Sequence, residues 1–198
     1  VDAFVSGCGG EIKSVQAEDP FGHPIVARLG VLPNGCAVVE TAEAAGIRFS
    51  SCTDEDARRA STYGVGQLLR AALDLGVRRI YVGLGGSATS DGGCGMAEAL
   101  GALFLDTSGK PTVRGLQGLS YIAHVDMSHF DKRVYDTEII ALSDVNNPLS
   151  GKHGAIYTFG PQKGLLFSHL REYDDWMRHY AHAVLAVTKD NHVLSAGA

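Results

Sequence analysis

Apolar and polar positions change their period along this chain. Val1 to Ser6 reads as the tail of a helix. Glu11 to Ala17 then alternates in twos, Asp19-Pro20-Phe21-Gly22 has the residues of a tight turn, and Pro24 to Val31 alternates again. The pattern predicts a hairpin, extended by a Pro33-Asn34-Gly35 turn and a short strand from Cys36 to Glu40. Further on the period lengthens. Thr53 precedes three acids as a helix N-cap would, and Val65, Leu68, Leu69, Ala72 and Leu75 make a helical stripe that stops at Gly76. Val77 to Leu84 is a β-branched run ending in a glycine turn, and Met96, Ala97 and Leu100 resume a helical face. Ala102 to Asp106 and Tyr121 to Asp126 read as strands on either side of an irregular stretch, 111–120. Thr137 to Leu142 reads as a buried strand. Ser168 is placed to cap a long helix with a core face of Leu170, Tyr173, Met177, Tyr180 and Val184. The fold class expected is α/β, with a β-rich opening segment (11–40) followed by alternating strands and helices.

With 198 residues, 45% of them hydrophobic and 20% charged, the chain can bury a real core. The formal charge of -5 and the lack of a basic block argue against a nucleic-acid surface. No apolar run reaches the length of a membrane span, and no leader pattern is expected at the start. Cys8, Cys36, Cys52 and Cys94 lack CxxC spacing, so free thiols and a cytoplasmic location are expected rather than zinc. The histidines of the last helix, His169, His179 and His182, form no HExxH-like arrangement. Trp176 and the tyrosines nearby read as packing.

Three polar segments carry the candidate chemistry. Residues 83–93 offer glycine N–H groups with Ser87, Thr89, Ser90 and Asp91. Residues 144–149 offer Asp144, Asn146 and Asn147 where open α/β sheets place ligands. Residues 160–164 put Lys163 in a Gly-Pro-Gln-Lys-Gly turn. A strand, glycine loop and helix in succession is the geometry of an anion site, although small residues in a tight packing turn would read the same way. Phosphoryl transfer needs this mixture of donors, a cation, carboxylates for magnesium and a base for the hydroxyl proton. Neither glycine segment matches GxxxxGK[ST], so a kinase here lies outside the P-loop class. Glu40, at a strand end before Thr41-Ala42, either faces a cleft or caps the alanine-rich turn.

Gly83-Leu84-Gly85-Gly86-Ser87-Ala88-Thr89-Ser90-Asp91-Gly92-Gly93 closely resembles the signature of the bacterial-type glycerate kinase family. So do Ser61-Thr62-Tyr63-Gly64, Asp144-Val145-Asn146-Asn147-Pro148-Leu149 and Phe159-Gly160-Pro161-Gln162-Lys163-Gly164, and Glu40-Thr41-Ala42 sits where the family has a Glu before small residues. We assign the resemblance to the central portion of the chain, matching about the middle half of a family member. It implies a two-lobed α/β kinase that phosphorylates D-glycerate with ATP and Mg2+. Asp91, Asp144 and Lys163 would then be catalytic, with Asp91 and Asp144 orienting magnesium or taking the hydroxyl proton. Ser87 and Thr89 would bind phosphate or the substrate carboxylate, with Glu40, Gly85, Gly86, Ser90, Asn146 and Asn147 completing the set. Val65 stands where Thr is common, and Asn146, a neutral ligand, where Asp is common.

The resemblance also leads us to expect a partial region over 1–198. A Pro-Asp-Ser-Phe-Lys type segment and an Asp-Gly-Gly-Glu-Gly-Thr type loop would precede Val1, and a glycine-rich segment would follow Leu194-Ser195-Ala196-Gly197. Such a region is expected to be poorly active alone, and a homo-oligomer stays open. The alternative is a non-catalytic sugar-acid or phosphate-binding fragment with the same loops. A phosphatase or aldolase-like use of Asp91 and Lys163 is disfavoured, because there is no Asp-x-Asp nucleophile motif and Lys163 lacks an apolar sequence setting.

Overall fold

Turn chemistry sets the first part of the fold. The Asp19 carboxylate accepts the backbone N–H of Phe21 at 2.8 Å and of His23 at 3.0 Å, closing an Asx-type turn. That turn joins β1 (Glu11–Glu18) to β2 (Pro24–Leu32) in antiparallel register from Glu11↔Val31 to Glu18↔Pro24. β3 (Cys36–Glu40) pairs antiparallel to β2, then β4 (Arg79–Gly83) and β7 (Glu138–Leu142) add in parallel. A computed structural model describes residues 1–189 of the chain; Leu194 to Gly197, expected as the edge of another glycine loop, lie outside them. The five-stranded sheet runs β1-β2-β3-β4-β7, and β5 (Leu103–Leu105) and β6 (His124–Asp126) form a separate antiparallel pair.

One sheet face is covered by α4 (Tyr63–Asp74), whose Val65, Leu68, Leu69 and Ala72 are buried against Ala37, Val39, Ile80 and Val82. Among the described residues, the opposite face carries α1 (Asp2–Cys8), with Phe4 stacked on Tyr81 and Val5 against Val38. Thr53 caps α3 (Asp54–Arg59) by accepting the Asp56 N–H, as its sequence predicts. A second core gathers α7 (Leu170–Thr188) with β5, β6 and a 3₁₀ turn at Leu116–Tyr121. Trp176 packs against that core. Among the described residues, no helix is long and apolar enough to cross a membrane. All four cysteines are free.

Several local expectations change. The second of the short strands shrinks to His124–Asp126 because Tyr121 belongs to the 3₁₀ turn. Ser168 does not cap α7: it lies in a 3₁₀ turn, and His169 takes the N-cap position without a side-chain bond. The 160–164 segment is not a turn but the end of α6 (Ala155–Lys163), which carries Pro161 inside it and stops at Gly164 with φ +112. A side chain at Gly164 would meet the Cys52 carbonyl oxygen at 2.2 Å, so tertiary contact as well as conformation demands glycine there. Finally, β7 is not buried: it is the outer strand of the sheet, with Ile139 38% and Leu142 37% exposed.

Candidate functional site

Parallel pairing aligns Glu40, Gly83 and Leu142 at the carboxyl ends of β3, β4 and β7. Two of the three polar segments leave the sheet at that edge, where open α/β sheets place ligands. The glycine loop is then stitched to the segment after α2 (Thr41–Ala45). Ile47 donates its N–H to the Gly86 carbonyl, and Ala88 donates to Ala45, both at 2.8 Å. Leu84, Gly85 and Gly86 stay exposed, whereas Ala88 and Thr89 are buried. The Ser87 and Thr89 hydroxyls share a hydrogen bond of 2.7 Å, and the Ser87 oxygen also accepts the Thr89 N–H at 3.1 Å. This leaves a short hydroxyl pair beside backbone N–H groups with no Cβ in front of them.

Lys163 reaches this loop from a separate element, α6. At the end of α6 its ammonium donates to the Thr89 carbonyl oxygen. Burial pushes its pKa down to about 8, with the charge of Asp91 working the other way. An ammonium has three donors, so one contact to Thr89 leaves two for an anion.

Asp91 is 1% exposed. Its carboxylate accepts the Thr62 N–H at 2.8 Å, the Thr62 hydroxyl at 2.9 Å, and the Gly93 and Gly95 N–H groups at 3.2 Å. The Thr62 oxygen in turn accepts the Met96 N–H at 2.9 Å. Asp91 and Thr62 therefore close the N-termini of both α4 and α5 (Cys94–Ala99), supplying acceptors to N–H groups that helix starts leave unpaired. In the sequence Thr62 shows its role only by its place directly before the helical stripe. Gly95 carries no comparable signal. A Cβ there would lie 2.1 Å from the Ser61 hydroxyl oxygen, 2.8 Å from the Tyr63 nitrogen and 3.1 Å from an Asp91 oxygen. Gly95→Ala is expected to destabilise the chain by about 2–3 kcal/mol by forcing these groups apart. Urea melts of the two proteins measure it, and an unchanged midpoint would mean that the latch is loose.

The third segment is less gathered. Asp144 is exposed and makes no hydrogen bond or ion pair among the described residues. Asn146 is also exposed. Asn147 donates to the His153 carbonyl at 2.8 Å and the Thr158 hydroxyl at 3.1 Å, tying the loop to the start of α6. Glu40 does not cap α2 through its side chain; its carboxylate accepts from the Val1 nitrogen and is 45% exposed. Ser90 is half-buried next to Asp91. Among the described residues, no three His, Cys, Asp or Glu side chains group as metal ligands. The structure thus brings Ser87, Thr89, Asp91 and Lys163 together and leaves Asp144 and Asn146 exposed after the same sheet edge, with Glu40 there paired to the Val1 nitrogen. A cavity of about 190 Å³ is lined by Ser61, Tyr63 and Arg114, but Arg114 is already paired with Glu18 and Glu98 and lies over the Tyr63 ring at 3.4 Å.

Comparison with known proteins covers the whole of this arrangement. A family model described as the glycerate kinase family matches residues 1–198. A glycerate kinase of Halalkalibacterium halodurans is 40% identical over 185 residues, which is 93% of this chain and 49% of that protein. A glycerate 2-kinase of Escherichia coli is 35% identical over 185 residues, again 93% and 49%. A crystal structure described as a glycerate kinase 2 from Salmonella typhimurium LT2 superposes with a TM-score of 0.95 at 38% identity, covering 100% of this chain and 53% of that one. The match is therefore not confined to the central portion, where the motifs had put it. The hairpin and the long last helix also align, although they carry none of those motifs. The chain spans about half the length of the curated relatives it matches.

Proposed function

The chain belongs to the glycerate kinase family, and from that premise we propose that it carries the phosphate-handling part of an ATP-dependent kinase acting on D-glycerate. One observation carries the reading. A hydroxyl pair, exposed glycine N–H groups and a buried ammonium with spare donors converge where three parallel strands end. Transferred phosphate spreads negative charge over its oxygens, and preorganised donors in a partly dry site stabilise that charge. Lys163 and the N–H groups of Gly85 and Gly86 would hold phosphate oxygens, with Ser87 and Thr89 orienting them or the glycerate carboxylate.

The two carboxylates divide by their surroundings. Asp91 has its oxygens committed to four donor groups, so it positions the loop. Asp144 has no partner among the described residues and follows the strand end, so it would take the glycerate hydroxyl proton or hold magnesium, with Asn146 and Glu40 at that edge. Mg2+ usually binds through one or two carboxylates plus substrate phosphates rather than an all-protein cage, and one open carboxylate beside a phosphate cradle fits that habit. Magnesium, when bound, neutralises charge on the phosphates. A cytoplasmic location and freedom from nucleic acid and membrane accompany this reading.

A coupled ADP-release assay with D-glycerate tests it, in the 198-residue chain and in a chimera in which residues 1–198 replace the matched segment of the Halalkalibacterium halodurans relative. Turnover is expected in the chimera and little in the chain alone, because part of the cradle and the closure of the cleft would be missing. Nucleotide bound by the chimera without ADP release would favour the second reading, a binding module without turnover. Because the E. coli relative is a glycerate 2-kinase, the product hydroxyl should be assigned by NMR in the same assay. Nucleotide affinity is expected to fall as pH rises through about 8, where Lys163 loses its proton; flat affinity across that range would remove Lys163 from the phosphate contacts.

A further inference from the structure

We infer that Asp174 is a positioning residue for the phosphoryl transfer, an assignment that rests on the kinase reading: from α7 it fixes the 144–154 segment and so sets where Asp144 stands. Asp174 is 2% exposed and lies about one turn into α7. Local grounds argue against an aspartate there, since it favours caps over helix interiors and is seldom fully buried. Its carboxylate bonds no N–H of its own helix. One oxygen accepts the Gly151 N–H at 2.8 Å, and the other accepts the Arg178 guanidinium at 2.5 Å. Among the described residues, the Gly151 contact is the hydrogen bond that joins 143–154 to an element beyond α6.

The segment is knotted tightly enough to pass that contact on. Gly151 sits in the left-handed region at φ +97, which suits glycine. A Cβ at Gly154 would lie 2.5 Å from the Ser150 carbonyl carbon, so only glycine closes the turn. The Gly154 N–H donates to Gly151 at 2.8 Å, the Ala155 N–H donates to Pro148 at 3.1 Å, and the Asn147 amide donates to His153 at 2.8 Å. Ser150 is buried within the turn. Holding Gly151 therefore holds Pro148 and Asn147, and with them the adjoining Asn146 and Asp144.

The neighbouring residue of α7 does the same at the other end of α6. The Tyr173 hydroxyl donates to the Asp54 carboxylate at 2.9 Å, and that carboxylate accepts the Leu166 N–H at 3.0 Å, just past Lys163. Adjacent positions on α7 thus tie down the segment before α6 and the segment after it. The carboxylate of Asp144 and the ammonium of Lys163 are set relative to one another through this shared helix. A small displacement of a reacting group costs rate far more than it costs binding.

Two measurements test this. In the chimera, Asp174→Ala is expected to lower kcat by about 10-fold to 100-fold with KM for D-glycerate held within about twofold. Asp174→Asn, which keeps an oxygen for the Gly151 N–H, should recover most of the rate, and Arg178→Ala should leave it unchanged. In an Asp144→Ala background, Asp174→Ala should cost nothing further, because it acts through Asp144. Losses that multiply, an asparagine variant as slow as alanine, or an equal loss in Arg178→Ala would each overturn the assignment. The second measurement needs neither ATP nor turnover, so it separates this assignment from the kinase reading. Hydrogen exchange by NMR on the 198-residue chain should show the amides of Gly154 and Ala155, which do not touch Asp174, exchanging about 10-fold faster or more in Asp174→Ala, with those of β4 unchanged. Unaltered exchange there overturns the inference whatever the chimera does. Altered exchange beside an inactive wild-type chimera supports the hold on the segment and counts against the kinase reading alone. Should alanine prevent folding, Asp174→Ser, too short to reach Gly151, takes its place in both measurements with the same expectations.

Discussion

Replacing Asp91 with alanine is expected to cost the fold about 3–5 kcal/mol, more than any other single change at the site. The carboxylate is 1% exposed and accepts from Thr62 twice and from the Gly93 and Gly95 N–H groups. Alanine removes every one of these acceptors at once. The N–H groups at the starts of α4 and α5 would then lie buried without partners, each at a cost of about 1–3 kcal/mol unless water enters. Asp91→Asn keeps one acceptor oxygen but points an NH2 at groups that are themselves donors, so about 2 kcal/mol is expected there. Thr62→Val should lose less, because the Thr62 backbone N–H still reaches Asp91. Urea denaturation of the 198-residue chain ranks the three. Wild-type stability in Asp91→Asn, together with lost turnover in the chimera, would return Asp91 to the reacting atoms and end its role as a latch.

Lys163→Met is expected to lower kcat/KM for D-glycerate in the chimera by about 100-fold while leaving stability near pH 7 within about 1 kcal/mol. The first half follows from the two ammonium donors that the Thr89 contact leaves over, under the proposed phosphate-binding role. The second follows from two opposed effects. Methionine removes the partner of the Thr89 carbonyl, and it also removes a charge whose burial is costly. Because the folded pKa is about 8 against an ordinary 10.5, the folded chain releases its proton before the unfolded chain does. Below pH 8 the wild type bears the whole cost of the buried ammonium. Between about 8 and about 10.5 the unfolded chain binds more protons, so wild-type stability rises with pH by at most about 3 kcal/mol, and the variant shows no such rise. Melting curves of both proteins at pH 7, 9 and 10.5 read this directly. Parallel curves would mean that Lys163 is solvated and not held under Thr89. An early-melting variant with normal turnover would make Lys163 a structural residue and leave the phosphate to Ser87, Thr89 and backbone N–H groups.

The hairpin of 11–32, the α4 stripe, the strand into the glycine loop and the α/β class were legible in the sequence, because each rests on a local period or on turn residues such as Asp19 and Gly22. The motif blocks were legible too, because they are contiguous. Three things were not. Gly160 and Pro161 read as helix breakers, but α6 runs through them because its Ile156 and Gly160 are buried and tertiary packing outweighs local propensity. The apolar run of β7 looked like a buried strand, but burial depends on what lies beside a strand, and nothing in the run itself supplies a neighbour. The hydrogen-bond partners of Asp91 were not legible, because a lone carboxylate in a glycine loop shows none in sequence. Its partners come from Thr62, 29 residues away, and from the folded-back turn at Gly93 and Gly95. Which residues lie in strands and helices was written in short-range pattern. What each polar side chain is free to do was decided only when distant donors and acceptors met, because a buried carboxylate or ammonium answers to whatever surrounds it.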